Sequence, residues 1–267
     1  MKKIVISLAS ATERRTHIRA QFDIQNIEFE FYDAVTPVPA RHLAEHMELP
    51  IRYDLLTGGE LACFMSHVSV WKKVIDHNID YVAVFEDDVV LSNQAAIYLN
   101  NHDWIPKGYH FIKTEAFWPK ANMAISGIAL PYGNRKLFRL FAGHVATAGY
   151  ILSNAAAHSL FEYVKKYESR RPIDHIMFEH YIYDGEYQVF QMNPALCIQD
   201  DVLNRHQARM PSMLEHDRRQ RINDANPNRK IKLTPTQKIM REVMRPFFQL
   251  LKLLTLKHLL SRRVHFK

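Results

Sequence analysis

Tyr81-Val82-Ala83-Val84-Phe85 is a run of five apolar and aromatic residues that stops at three acids, Glu86-Asp87-Asp88. The run is short, β-prone and free of charge, the pattern of a strand covered on both faces. Three carboxylates cannot follow it into a core, because unpaired buried charge is too costly. They stand where the strand emerges, and in an open α/β sheet the carboxyl ends of the strands are where ligands bind. Carboxylate oxygens gathered there suit a hard divalent cation, Mg2+ or Mn2+, and such a cation usually brings phosphates with it. On a polar loop the same triplet would be a solvated acidic turn; at the end of a buried strand it reads as a metal site.

Upstream of this strand, Ile4 to Leu8 reads as a first strand. Ser10-Ala-Thr-Glu13 forms a possible capping box for a helix from about Glu13 to Phe22. Ile27 to Tyr32 alternates with the period of a strand, and Val35 to Pro50, with three prolines, reads as a loop with room for a short helix. Thr57-Gly-Gly-Glu60 is a second capping box. It opens a helix whose stripe is Leu61, Phe64, Val68, Trp71 and Ile75, ended by Asn78. The alternation of strand and helix is that of a doubly wound, mostly parallel, Rossmann-type α/β sheet with helices on both faces. Downstream, Tyr109 to Thr114, Leu137 to Phe141, Val145 to Leu152 and Tyr187 to Met192 read as strands. Ser153 caps a helix to Lys166, and Pro172 to Tyr183 is another. No Gly-x-Gly-x-x-Gly follows the first strand and no Gly-Lys-Ser/Thr loop exists. Any bound nucleotide must have its phosphates held by metal rather than by a glycine-rich loop.

The 267 residues suffice for one large domain with an appendage. Residues 228–267 carry 11 Lys and Arg against one acid, Glu242, a formal charge of +10. The body, residues 1–227, is therefore at −3 against the +7 of the whole. Thr234-Pro235 starts a helix in the tail, and Ile239, Met240, Val243, Met244, Phe247, Leu251 and Leu254 trace one face of it, with Pro246 a kink. A basic amphipathic helix of this kind binds anionic membrane surfaces. Packing on the body is the plainer alternative, and the aromatic interleaving expected of nucleic-acid binding is missing. Cys63 and Cys197 stand in apolar contexts and read as buried core thiols rather than a disulfide or zinc framework. With no apolar run long enough to span a bilayer and no full signal peptide, the expected location is the cytoplasm, peripherally on the inner face of its membrane.

Val5-Ile6-Ser7-Leu8, Glu13-Arg14-Arg15, Phe31-Tyr32-Asp33-Ala34, Gly59-Glu60-Leu61-Ala62-Cys63-Phe64-Met65-Ser66-His67 and Phe85-Glu86-Asp87-Asp88-Val89 together resemble glycosyltransferase family 25, its bacterial lipooligosaccharide β-1,4-galactosyltransferase group. Thr147-Ala148-Gly149-Tyr150-Ile151, Asp174 after Arg171-Pro172-Ile173, Pro194-Ala195-Leu196-Cys197 and the basic end Arg262 to Lys267 are similar to it as well, so the resemblance spans the chain. It implies a GT-A-like fold, UDP-galactose as donor, a lipid-linked oligosaccharide acceptor of the lipooligosaccharide or lipopolysaccharide core, and inversion at the anomeric carbon.

The same resemblance distributes roles. The Asp-x-Asp pattern falls on Glu86-Asp87-Asp88, with Asp88 and Glu86 as metal ligands and Asp87 towards the donor. Ser7, Leu8, Arg14, Arg15 and Asp33 line the nucleotide-sugar side, where arginine forks grip phosphate or else are solvated residues of a first helical turn. Asp174 is the expected general base, with an ordinary helix N-cap as its plain alternative, and Glu115 follows, then Glu60. His67 and Ser66 read as structural, and one of Gln199, Asp200, Asp201 and His206 is expected to complete the site. A metal-dependent phosphoesterase or nuclease would need a second metal cluster, which the sequence lacks. A non-catalytic nucleotide-sugar-binding membrane adaptor would not need the intact acid triplet.

Overall fold

The computed structural model describes residues 1–117, 120–142, 144–204, 207, 210 and 260–267. First come β1 (Lys2–Ser7), α1 (Thr12–Ile24), β2 (Glu30–Asp33), α2 (Pro37–His46), a 3-10 turn (Tyr53–Leu55), α3 (Gly58–Asp76), β3 (Tyr81–Glu86), β4 (Val89–Leu91) and α4 (Ala95–Leu99). The middle is rich in strands: β5 (Phe111–Lys113), β6 (Glu115–Ala116), β7 (Ala121–Met123), β8 (Ile128–Ala129), β9 (Lys136–Ala142) and β10 (Gly149–Ser153). Then follow α5 (Asn154–Lys166), α6 (Ile173–His175), a π-helical turn (Ile176–His180), α7 (Tyr181–Asp184), β11 (Val189–Asn193), β12 (Cys197–Gln199), α8 (Asp200–Asn204) and β13 (Ser261–Arg262).

Among the described residues the main sheet runs β13-β7-β9-β11-β5-β10-β3-β1-β2, with β8 joined to β9, and a small sheet runs β4-β12-β6. The main sheet is mixed rather than mostly parallel. β2, β1 and β3 are parallel, as are β5 and β11, but β10 runs against both β3 and β5, and β9 against β11 and β7. Short apolar runs carry the period of a strand but not its direction, so the pattern leaves parallel and antiparallel pairing undistinguished.

Alternation along the central strands divides two cores. Ile4, Ile6, Val82, Val84 and Tyr150 face α2, α3 and α5, while Val5, Ala83, Phe85 and Ile151 face α1 and α4. Phe85 meets Phe22 of α1 edge to face at 5.8 Å. Fully burying a side chain of this size contributes about 1.5–3 kcal/mol. Helices therefore cover both faces, as expected.

Local signals decide the helix ends. Thr57 and Glu60 form the reciprocal capping box of α3, with Thr57 N–H donating to Glu60 Oε2 at 2.9 Å and Glu60 N–H to Thr57 Oγ1 at 3.1 Å. Ser153 caps α5. The box expected at Ser10 does not form; α1 begins after Ala11 with no side-chain cap. The proline-rich stretch after Val35 is a full helix, because Pro37 and Pro39 sit in the first turn of α2, whose N–H groups have no intrahelical acceptor anyway. Cys197 is a core thiol, but Cys63 is only half-buried, at the edge of α3 nearest Glu86.

The end of the chain returns to the body. β13 pairs with β7, Phe266 bridges to Ala195, Val264 is buried, and Arg262 donates to the Ile125 carbonyl at 2.7 Å. The apolar stripe from Ile239 to Leu254, and the expected boundary between residues 227 and 228, lie outside the described residues.

Gly149 opens β10 where a Cβ would stand 2.2 Å from Cys197 Sγ and 3.1 Å from Thr114 Oγ1. Gly149→Ala should lower stability by about 2–3 kcal/mol in urea denaturation. Cys197→Ala combined with it should recover most of that loss, since the two side chains compete for one space.

Candidate active site

One edge of the main sheet collects the expected residues. β1, β2 and β3 reach it with their carboxyl ends, in the register Ile6 opposite Glu86 and Ser7 opposite Asp33. β5 reaches it with Lys113. β10, running the other way, leaves from it at Gly149 opposite Phe85. The segment Val145–Ala148 therefore lies beside the acids that end β3.

On the β1 side, neither arginine is a solvated helix residue. Arg14 Nη1 donates to Asp87 Oδ1 at 2.7 Å and stands 3.8 Å from Asp88 Oδ2. Burial works against its charge, but the Asp87 hydrogen bond and the fields of Asp87, Asp88 and Glu86 outweigh it and raise its pKa. Arg15 spends its fork on the chain itself, donating to the Ser7 carbonyl at 2.9 Å, to the Leu8 carbonyl at 3.1 Å and to Asp33. Ser7 and Leu8 are thereby held in place, and the Asp33 carboxylate stays largely exposed beside them.

β3 ends at Glu86, and Asp87 and Asp88 form the turn into β4. The Asp88 carboxyl is buried, and its pKa is pushed well above the usual carboxylate range by that burial and by Glu86, against the pull of Arg14. Gln199 Nε2 donates to it at 3.3 Å, and the Asp200 N–H donates to its carbonyl at 2.8 Å. Of the four residues expected to complete the site, Gln199 and Asp200 thus touch Asp88. The Asp200 carboxylate turns away to Asn204 and to the Met210 N–H, and His206 lies outside the described residues. The buried Asp88 carboxyl with the Glu86 carboxylate beside it is a set of hard oxygen donors of the kind that would suit a divalent cation.

Lys113 organises the β5 side, and sequence reasoning missed it. Fully buried, its ammonium donates to Glu115 Oε2 at 3.1 Å and to the Ala146 carbonyl, and lies 4.0 Å from the centre of the Phe178 ring. Glu115 Oε2 also accepts the Ala148 N–H at 3.0 Å. With no exposure, Glu115 braces the Val145–Ala148 segment and has no path to a substrate hydroxyl in this conformation. Its trace in the sequence was Phe-Ile-Lys-Thr-Glu, an apolar strand ending in a lysine two residues before an acid. Ala146 takes the left-handed φ of 84°, held by Lys113 at its carbonyl and by Asp174 Oδ2, which accepts its N–H at 3.4 Å.

Asp174 is not an N-cap, because Pro172 occupies that position; its carboxylate takes the His175 N–H at 2.9 Å and reaches across to Ala146. It is brought to the same edge as Glu86, bridged by the short segment that carries Thr147, whose Oγ1 donates to Glu86 Oε1 at 2.7 Å. Ser66 is structural: it accepts the Val35 N–H at 2.9 Å and donates to the Ala62 carbonyl at 2.7 Å. Glu60 is taken up by its capping box. Asp33, Arg14, the β3 acids and Asp174 thus line one edge.

A family model described as glycosyltransferase family 25 (LPS biosynthesis protein) matches residues 1–177. The chain belongs to glycosyltransferase family 25. Its relatives include the lacto-N-neotetraose biosynthesis glycosyltransferase LgtE of Neisseria meningitidis, 38% identical over 75% of this chain and 74% of that protein. LgtB of Neisseria gonorrhoeae is 36% identical over 82% of each chain, and the lipooligosaccharide biosynthesis protein lex-1 of Haemophilus influenzae is 30% identical over 83% of each. Among solved structures, a glycosyltransferase involved in the glycosylation of the major capsid of PBCV-1 covers 82% of this chain with a TM-score of 0.43 and 9% identity, too slight a likeness to carry argument. This family-25 member is a glycosyltransferase, and among its described residues no helix is long and apolar enough to cross a membrane.

Two buried groups behind the edge titrate in opposite senses. Burial pushes Glu115 up to about 7, with Lys113 pulling the other way. Its contribution to stability is therefore full below its ordinary value near 4.5 and is lost as pH rises towards 7. Burial, aided by Lys113, pushes His144 down to about 3 from 6.5. The unfolded chain then takes up that proton first, and stability is lost as pH falls through this window. Between pH 4.5 and 6.5 the two slopes oppose each other. Glu115→Gln removes the falling one, so urea unfolding of this variant should show stability climbing more steeply with pH across that range, from a lower overall level.

Proposed function

We propose that this glycosyltransferase moves galactose from UDP-galactose to the terminal sugar of a lipooligosaccharide or lipopolysaccharide core, with inversion and a β-1,4 linkage, on a GT-A-like scaffold. The observation that carries the reading is the buried Asp88 carboxyl crowded by Glu86, a charge cluster that calls for a divalent cation and, with it, a diphosphate. The names of three relatives, which place those proteins in lipooligosaccharide or lacto-N-neotetraose biosynthesis, support an oligosaccharide acceptor of that kind.

In this reading Glu86 and Asp88 hold Mn2+ or Mg2+, which when bound neutralises charge on the departing nucleoside diphosphate. Arg14 keeps Asp87 in place beneath the donor. Arg15 fixes Ser7 and Leu8 along the nucleotide, and the exposed carboxylate of Asp33 receives ribose hydroxyls. Asp174 Oδ2 takes the proton of the acceptor hydroxyl as the hydroxyl oxygen attacks the anomeric carbon and the bond from that carbon to UDP breaks. A cavity of about 570 Å³ beside β6 and β12, lined by Phe117, Ile198, Val202 and His265 among others, offers the acceptor a neighbouring seat. The basic stretch after residue 228 brings the protein to the anionic inner face of the cytoplasmic membrane, where a lipid-linked acceptor is met. Nucleic acid is not a partner in this reading.

Chelation should abolish transfer from UDP-galactose and added Mn2+ should restore it; full activity in the chelated protein would exclude the metal reading. Asp88→Asn removes a carboxyl whose ionisation burial opposes. The metal-free variant should therefore unfold at or above the wild-type temperature, yet show no thermal shift with Mn2+ and at least a hundredfold loss of turnover, on the order of the loss of such a group.

Asp174→Asn should leave UDP affinity within about threefold and lower turnover by about a hundredfold or more, the usual scale for a lost general base. Calorimetric titration with UDP and initial rates separate the two effects. Surviving turnover would reduce Asp174 to a support for Ala146.

A further inference from the structure

His67, from the middle of α3, has a place in this edge that a merely structural histidine does not need. A file of hydrogen bonds passes through it. Trp71 Nε1 donates to Tyr150 Oη at 3.1 Å, Tyr150 Oη lies 2.8 Å from His67 Nδ1, and His67 Nε2 lies 3.4 Å from Glu86 Oε1. Trp71, Tyr150 and His67 have no solvent exposure. Thr147 donates to the same Glu86 oxygen.

The chemistry of the first member fixes the polarity of the rest. An indole N–H can only donate, so the phenol oxygen accepts from Trp71. The phenol proton then has one place to go among the described residues, His67 Nδ1. An Nδ1 that accepts leaves the proton on Nε2, and Nε2–H points at the Glu86 carboxylate. The opposite tautomer would orphan a buried hydroxyl, at a cost of roughly 1–3 kcal/mol, and would set an imidazole lone pair against a carboxylate. Burial keeps the phenol protonated, in agreement with this polarity.

We propose that His67 is a positioning residue, held with its proton on Nε2 by Tyr150 and Trp71, and that together with Thr147 it fixes Glu86 Oε1 and so orients the Glu86 carboxylate for the donor and its cation. The proposal rests on the reading of Glu86 as part of the donor site. One other arrangement uses the same atoms. The ligand atoms of Cys63, His67 and Glu86 lie within 4.8 Å of one another, close enough to surround a thiophilic cation. That site needs an unprotonated nitrogen facing Glu86, which the donor at Trp71 opposes.

Two measurements on the full chain test this. Nitrogen-15 NMR of the metal-free wild type should show the His67 proton on Nε2 with Nδ1 bare, and Tyr150→Phe should lose that preference. A proton on Nδ1, or an imidazolium at neutral pH, would overturn the relay. Calorimetry with UDP and Mn2+ should show His67→Asn, which keeps an acceptor for Tyr150 but is too short to reach Glu86, weakening binding about tenfold or more. His67→Gln, which restores an N–H near the Nε2 position, should return it to within about threefold of wild type. Equal affinity in all three folded proteins would overturn the positioning role. A thiolate-to-metal absorption band on adding Co2+, lost in Cys63→Ser, would replace the relay with the metal site. If wild type binds no UDP with Mn2+, the donor reading fails by itself and the tautomer measurement alone decides the relay.

Discussion

β3 is covered on one face by the helices that pack on Val82 and Val84, and on the other by those that pack on Ala83 and Phe85, so it can carry no charge before Glu86. The carboxylates gathered at this edge meet basic side chains from α1 and β5. Arg14 answers Asp87, Arg15 answers Asp33, and Lys113 answers Glu115. Asp88 is left with the longer approach of Arg14 at 3.8 Å and with Glu86 beside it. In the proposed function, Glu86 and Asp88 are the pair that a cation would join.

The buried lysine shows how such an edge is kept rigid. Taking Lys113 and Glu115 out of water together is costly, and an ion pair of this kind is weak evidence for stability in itself. What the pair achieves is placement. Lys113 holds the carbonyl of Ala146, Glu115 holds the N–H of Ala148, and Asp174 holds the N–H of Ala146. A left-handed alanine costs on the order of 1 kcal/mol, and persists where its surroundings over-determine it. The residue between the two held positions is Thr147, which reaches Glu86. A strained tripeptide is thus clamped at three points so that one hydroxyl meets one carboxylate oxygen.

Much of this was legible because it was local. A charge-free run ending in acids, a Thr-x-x-Glu box and the 3.6-residue stripe of α3 are readable from neighbours in the chain, and each stands where the pattern put it. Proline-rich α2 and the uncapped start of α1 were misread for local reasons too, since prolines in a first turn look like a loop and a serine three residues before a glutamate looks like a cap. The half-buried Cys63 depended on which edge of α3 faces Glu86. Lys113 and His144 were out of reach because their meaning comes from long-range packing. A buried lysine is indistinguishable in sequence from a surface one until the segment that it holds, thirty residues away, folds back beside it. The same holds for Tyr150 and Trp71, whose polar atoms acquire a direction only when α3 lies across β10.

Strand direction, the feature that the apolar pattern could not supply, turns out to govern the chemistry. In an all-parallel sheet the segment leading into each strand enters from the edge opposite the acids. β10 reverses this. Because it runs against β3 and β5, the residues that precede it, Ala146 to Ala148, sit at the carboxyl ends of both neighbours. Through Ala146 they draw in Asp174 from the start of α6, and through Thr147 they touch Glu86. The parallel strands β2, β1 and β3 thus line up one bank of the site with residues that follow them, and the reversed strand lines up the other with residues that precede it. In the proposed function, the donor side and the Asp174 carboxylate share one edge because the sheet is mixed.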